Sequence, residues 1–176
     1  AARPQDDCTP LQAACRQALQ GGTPEVSAEF LEALLTFQRE VAVPKLAREA
    51  DPEGAALFES TGCALCHRPT LPSRDSSGEP VTIRAFTDLL VHDLGDGLAD
   101  RTVDGRAVTT RFRTAPLWGL GYELTRGPPA LLHDGRAGSL EEAILWHGGQ
   151  AVTARRLFLE LPAEKRATLV RWIATQ

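Results

Sequence analysis

The 176-residue chain has no methionine, one tyrosine and few aromatic residues, 6% of the total. The missing methionine removes the methionine thioether from the metal ligands the chain can offer. No apolar run approaches the roughly 20 residues that a membrane-spanning helix needs. Lys and Arg number 19 against 23 Asp and Glu, a formal charge of −4, so there is no basic surplus for a nucleic-acid partner. Four cysteines are too few for a disulfide framework of the kind that replaces a core. The core is available instead: 43% of the residues are hydrophobic. This length fits one domain with an extension.

What is present is concentrated at Cys63-Ala64-Leu65-Cys66-His67. A Cys-x-x-Cys-His run is the attachment pattern of c-type haem. On one helical turn the two thiols and the imidazole share a face. The thiols can add to the two haem vinyl groups, and His67 can reach the iron as proximal ligand. With four Cys and four His in the chain, chance would supply about 0.002 such runs. A zinc site would need two further ligands at matching spacing, and Cys8 and Cys15 lie far upstream. A thioredoxin-like pair would need strand–helix alternation, which the sequence does not show. One covalent haem c, at Cys63 and Cys66, is the expectation. Its attachment takes place outside the cytoplasm, so an exported, periplasmic protein is expected. The chain opens on Ala1-Ala2-Arg3-Pro4 without a leader-like segment, as expected of a mature form or a piece of a longer protein.

In an oxidising compartment Cys8 and Cys15 are expected to form a disulfide; two free, buried thiols are the alternative. Seven residues of continuous helix span about 10 Å, beyond the roughly 7 Å between Cα atoms that a bridge tolerates. Thr9-Pro10 resolves this by starting a helix after Cys8.

The pattern predicts an all-α chain. Helices are expected from Pro10 to Gln20, from Thr23 to about Val43, from Asp51-Pro52-Glu53 to Gly62, and over a short stretch from Phe86 to Val91. Ser139-Leu140-Glu141-Glu142 is a capping box opening a helix that stops at Gly148-Gly149, and a last helix begins at Pro162. Residues 68–80 read as loop and 95–116 as irregular. No hairpin signal or internal repeat is visible. A helix before the haem motif and another closing the chain suit a small cytochrome c-like haem domain over 51–176. Residues 1–50 form a helical extension.

The second axial ligand must come from His92, His133 or His147, or the position stays open. His147 ends the capped helix beside Trp146, whose ring suits a haem wall, and before two glycines that let the chain turn. Its other reading is a helix-terminal histidine favoured by the helix dipole. His133 precedes the turn signal Asp134-Gly135, and His92 precedes Asp93.

Longer runs carry a family resemblance. Phe86-Thr87-Asp88-Leu89-Leu90-Val91-His92-Asp93-Leu94-Gly95, Phe112-Arg113-Thr114-Ala115-Pro116-Leu117-Trp118-Gly119 and Leu132-His133-Asp134-Gly135-Arg136-Ala137, continuing to Trp146-His147-Gly148-Gly149, resemble the di-haem oxidoreductases. These are also called "thiol oxidoreductases" and are related to bacterial di-haem cytochrome c peroxidases. The family has two haem motifs and this chain one, so the chain resembles the C-terminal haem domain. The family's His-Asp-Met-Gly reads His92-Asp93-Leu94-Gly95 here. In the related peroxidases the residue fourteen after the His-Asp-Gly histidine ligates the electron-transfer haem. That residue here is His147. The resemblance therefore implies iron held by His67 and His147, with Arg113 on the propionates and Trp118, His133 and Trp146 lining the haem. A second haem domain or a redox partner protein completes the picture. Electron transfer is the expected role; a peroxidase-type haem with an open distal site, served by His133 or His92, is the alternative.

Overall fold

The computed structural model describes residues 11, 13, 26–41, 51–75, 77–101 and 108–176. Cys8, Cys15 and all but two positions of the helix expected from Pro10 lie outside them. The chain divides into two compact units, one of Ala1–Ala42 with Arg101–Ala107, the other of Val43–Asp100 with Val108–Gln176.

In the first unit, helix α1 spans Ala28–Glu40. It starts later than Thr23-Pro24 suggests, because Ser27 is the cap: its Oγ accepts from Phe30 N at 3.1 Å. Phe30, Leu34 and Phe37 keep the expected helical spacing and are exposed.

Among the described residues the second unit contains α2 (Pro52–Ser60), α3 (Leu120–Glu123), α4 (Leu140–Trp146), α5 (Val152–Glu160) and α6 (Ala163–Ile173). Asp51 caps α2 by accepting from Glu53 N at 3.0 Å, with Pro52 in the first turn. Pro162 stands at the N-cap of α6. Helices α2 and α6 cross in close contact. The crossing is possible because residue 54 is glycine: a Cβ there would sit 2.5 Å from Trp172 Cγ and 2.8 Å from Trp172 Cδ1. Phe58, Phe86, Phe158, Leu169, Trp172 and Ile173 form the core. The Phe58 ring lies 4.9 Å from that of Trp172, and Phe86 meets Trp172 edge-on at 5.7 Å. Lys165 pairs with Glu53 across the same crossing. Helix α5 carries Phe158, fully buried, into this core; the sequence reading left its residues unassigned.

The unit is not all-α: helices and short strands share it. Leu71–Arg74 and Pro80–Ile83 pair antiparallel, Leu71 opposite Ile83. This is a hairpin where a loop was expected. Asp75 turns it, its Oδ1 accepting from Ser77 N at 2.9 Å and Glu79 N at 3.0 Å. Val91–Asp93 pairs antiparallel with Arg111–Arg113, His92 opposite Phe112. The helix expected from Phe86 to Val91 does not form. Phe86 and Leu89 have positive φ, 52° and 59°. Side chains have captured the backbone donors a helix would use: Thr87 Oγ1 accepts from Leu89 N at 2.9 Å and Asp88 Oδ1 from Leu90 N at 2.9 Å.

Candidate haem site

The Cys63–Leu65 segment is one turn of 3₁₀ helix following α2, and His67 N donates to Cys63 O at 2.9 Å. This turn carries Cys63, Cys66 and His67, all half-buried, while Leu65 between the cysteines points outward, 78% exposed. Burial pushes both thiols above their ordinary range, and the Asp88 carboxylate adds to the rise at Cys66. Both therefore remain thiols at neutral pH.

The His67 ring lies close to the His147 ring. Their centroids are 6.4 Å apart and their planes meet at 51°. His67 Nδ1 lies 3.1 Å from Phe86 O and His147 Nδ1 lies 2.7 Å from Ala143 O. A carbonyl oxygen can only accept, so each Nδ1 carries the proton and each Nε2 keeps its lone pair. The hydrogen bonds of both rings thus run through Nδ1, and the Ala115 carbonyl also acts on His67 to favour its charged form. Burial lowers His67 to about 4, with the neighbouring His147 adding to the depression and the Phe86 carbonyl opposing it. Burial likewise lowers His147 against the pull of Ala143 O. Both rings are thus neutral at pH 7, the form that binds a metal.

Two different local devices hold the pair. Phe86 is buried in the core and adopts the left-handed conformation, which turns its carbonyl to His67. His147 is the C-cap of α4. The capping box at the other end of α4 forms in altered shape: Ser139 Oγ accepts from Glu142 N at 3.1 Å, but Glu142 Oε2 accepts from Gly138 N at 2.8 Å, one residue beyond the cap.

The other candidate residues lie elsewhere. His133 stacks on Phe112, centroids 4.0 Å apart, with Asp134 3.8 Å from its Nε2. His92 Nε2 bonds Asp88 Oδ2 at 2.7 Å. Trp146 is partly exposed beneath the Arg136 guanidinium, 5.0 Å away. Arg113 is exposed and makes no ion pair among the described residues. Trp118 is half-buried in the turn before α3, and no ring contact joins it to the histidine pair among the described residues. An open cavity of about 470 Å³, lined by Leu94, Gly97, Leu145, Trp146 and Arg155 among others, flanks the His147 loop; neither imidazole lines it.

Asp88 was missed. Its carboxylate, His92 and Cys66 bring donor atoms within 4.8 Å of one another, a set that could hold a metal ion. The Asp88-to-His92 spacing of four was a readable signal. The Cys66 sulfur could not serve both such an ion and a thioether.

Residues 12–176 match the family described as "Di-haem oxidoreductase, putative peroxidase". The chain belongs to the di-haem oxidoreductase family. Haem is accordingly the group to test against this site, and the site fits it. Two imidazoles on opposite sides of one metal atom, with metal–nitrogen bonds of about 2.0 Å, put their centroids about 6.3 Å apart, and the observed separation is 6.4 Å. The Nε2 atoms, which take no part in the Phe86 and Ala143 bonds, are those that would bind. A chain in the structure of Kuenenia stuttgartiensis hydrazine synthase pressurised with xenon is similar in fold, with a TM-score of 0.56 at 19% identity, over 85% of this chain and 56% of that one. This chain therefore spans little more than half the length of that neighbour. No curated protein matches it. Among the described residues no helix is long and apolar enough to cross a membrane.

Proposed function

We propose that residues 51–176 form a cytochrome c-like electron-transfer domain holding one haem c through thioethers at Cys63 and Cys66 and axial bonds from His67 and His147. The observation that carries this is the pair of neighbouring neutral imidazoles, with centroids 6.4 Å apart and each Nδ1 tied to a backbone carbonyl. When bound, the group supplies an iron that takes and releases single electrons, at a lower potential than methionine ligation would give. The carbonyls of Phe86 and Ala143 fix the tautomers and raise the basicity of both rings. Burial of the two rings keeps protons from competing for the same nitrogens. Were His67 and His147 both to hold the iron, they would leave no open position for peroxide, which favours electron transfer over peroxidase chemistry. Residues 1–50 are an extension of this domain. The family name counts two haems and this chain has one motif, so the electron partner is a second haem domain of a longer polypeptide or a separate redox protein. Thioether attachment puts the protein in the periplasm.

The purified holoprotein should carry the mass of one haem and give a six-coordinate low-spin ferric spectrum. His147→Ala should retain the haem and turn the iron high-spin. A wild-type protein that is high-spin and binds cyanide at once would overturn the reading in favour of an open, catalytic iron.

A further inference from the structure

The loop that follows His147 is seated on a second loop, backbone against backbone. A Cβ on Gly148 would stand 2.7 Å from Leu94 O. Gly149, at φ +50°, approaches Asp93 O so closely that its Cβ would also lie 2.7 Å from Gly95 N. Gly95, at φ +77°, has no room either, since its Cβ would be 2.9 Å from Gly149 N. Between the two loops no side chain can be accommodated. One step further on, Gln150 Oε1 accepts from Asp93 N at 2.7 Å. The supporting loop is itself anchored. Asp93 ends the strand paired with Arg111–Arg113, Leu94 N donates to Thr110 O at 2.8 Å, and Asp93 Oδ1 accepts from Gly95 N at 2.8 Å.

We infer that Gly148, Gly149 and Gln150, clamped on Asp93–Gly95, are positioning residues that hold His147 on the iron. The inference rests on the proposed ligation by His147. His147 lies at the very end of α4, where a helix normally frays and its last carbonyls lack intrahelical partners. What restrains it beyond the helix is the seat beneath residues 148–150. The clamp is separate from the Cys63–Cys66 attachment, so loosening it leaves the haem in the protein and frees only the sixth ligand. It also couples the His147 loop to the strand bearing His92, although His92 stays with Asp88.

The test uses the ferric holoprotein and cyanide, which can bind only while His147 is detached. Its association rate at low cyanide concentration reports the detached fraction. Gln150→Ala removes one hydrogen bond from the clamp and should raise that rate about fivefold. Gly148→Ala forces the two loops apart and should raise it roughly tenfold or more. Asp51→Ala, which removes the cap of α2 at a similar cost in stability, should leave it unchanged. His147→Ala marks the limit of a fully detached ligand and should be fastest. If His147→Ala is no faster than wild type, the ligand assignment falls. If His147→Ala is fast while Gln150→Ala and Gly148→Ala match wild type, the clamp falls and the ligand stands. A Gly148→Ala chain that fails to fold leaves Gln150→Ala to decide.

Discussion

Gly54→Ala is the sharpest test of the helix crossing, because two effects of opposite sign compete there. Within a helix, alanine is favoured over glycine by about 1 kcal/mol. Against this, the new methyl carbon would lie 2.5 Å from Trp172 Cγ, about 1 Å inside the usual 3.5–4.0 Å carbon contact. The indole cannot swing away: Trp172 is 4% exposed and wedged between Phe58 and Phe86. The helices must therefore separate. Overpacking of this kind costs about 1–3 kcal/mol, and a rigid ring met at several atoms puts the cost near the top of that range. The net loss is about 2 kcal/mol. For a unit of this size that lowers Tm by about 8 °C. Thermal and urea unfolding of the holoprotein, followed by circular dichroism, would measure it. Ala56→Gly, at an exposed position of the same helix, supplies the propensity term alone and should cost about 1 kcal/mol. A Gly54→Ala protein more stable than wild type would mean that α2 and α6 do not meet at this residue.

Thr87→Val keeps the shape of a fully buried side chain but removes the partner of Leu89 N and Thr114 O, and should cost about 1–3 kcal/mol of unfolding free energy, read as a lower urea midpoint; an unchanged midpoint would refute those bonds. Ser139→Ala removes the cap of α4 and should cost about 1 kcal/mol, read in the same way. The haem-free chain should lose stability as pH falls. His67 is depressed to about 4 in the folded chain from 6.5, so the unfolded chain binds the proton first; the contribution is complete above pH 6.5 and disappears towards pH 4, about 3 kcal/mol in all. Urea midpoints between pH 7 and 4.5 should fall, less steeply in His67→Gln; a flat profile for the wild-type chain would show that His67 is not buried as a neutral ring.

The signals that act over a few residues were legible. Asp51-Pro52 marked the start of α2, Ser139 the cap of α4 and Pro162 the start of α6, because a cap uses only its own neighbours in the chain. The placing of Cys63, Cys66 and His67 on one turn was readable for the same reason. The stretch from Phe86 to Val91 was misread because its apolar spacing suits a helix, while Thr87 and Asp88 redirect the backbone through their side chains. Helix α5 was overlooked because Gly148-Gly149 reads as a stop; the chain restarts within three residues, with Phe158 finding its place only in the assembled core. Nothing in the sequence marks Phe86 O as the partner of His67, since every residue has a carbonyl and its direction depends on the fold. Likewise, the seat under His147 depends on two loops more than 50 positions apart in the chain.

Phe86 ties together properties that an engineer would want to adjust separately. Its ring is one wall of the aromatic cluster, and its carbonyl, turned by a left-handed backbone, sets the basicity of His67. Replacing it with glycine would relieve the torsion but empty the cluster, and a larger ring would move the carbonyl. Grafting residues 63–67 onto another scaffold would therefore move the thiols and the imidazole without the carbonyl that tunes the ring, unless the segment around position 86 travelled with them.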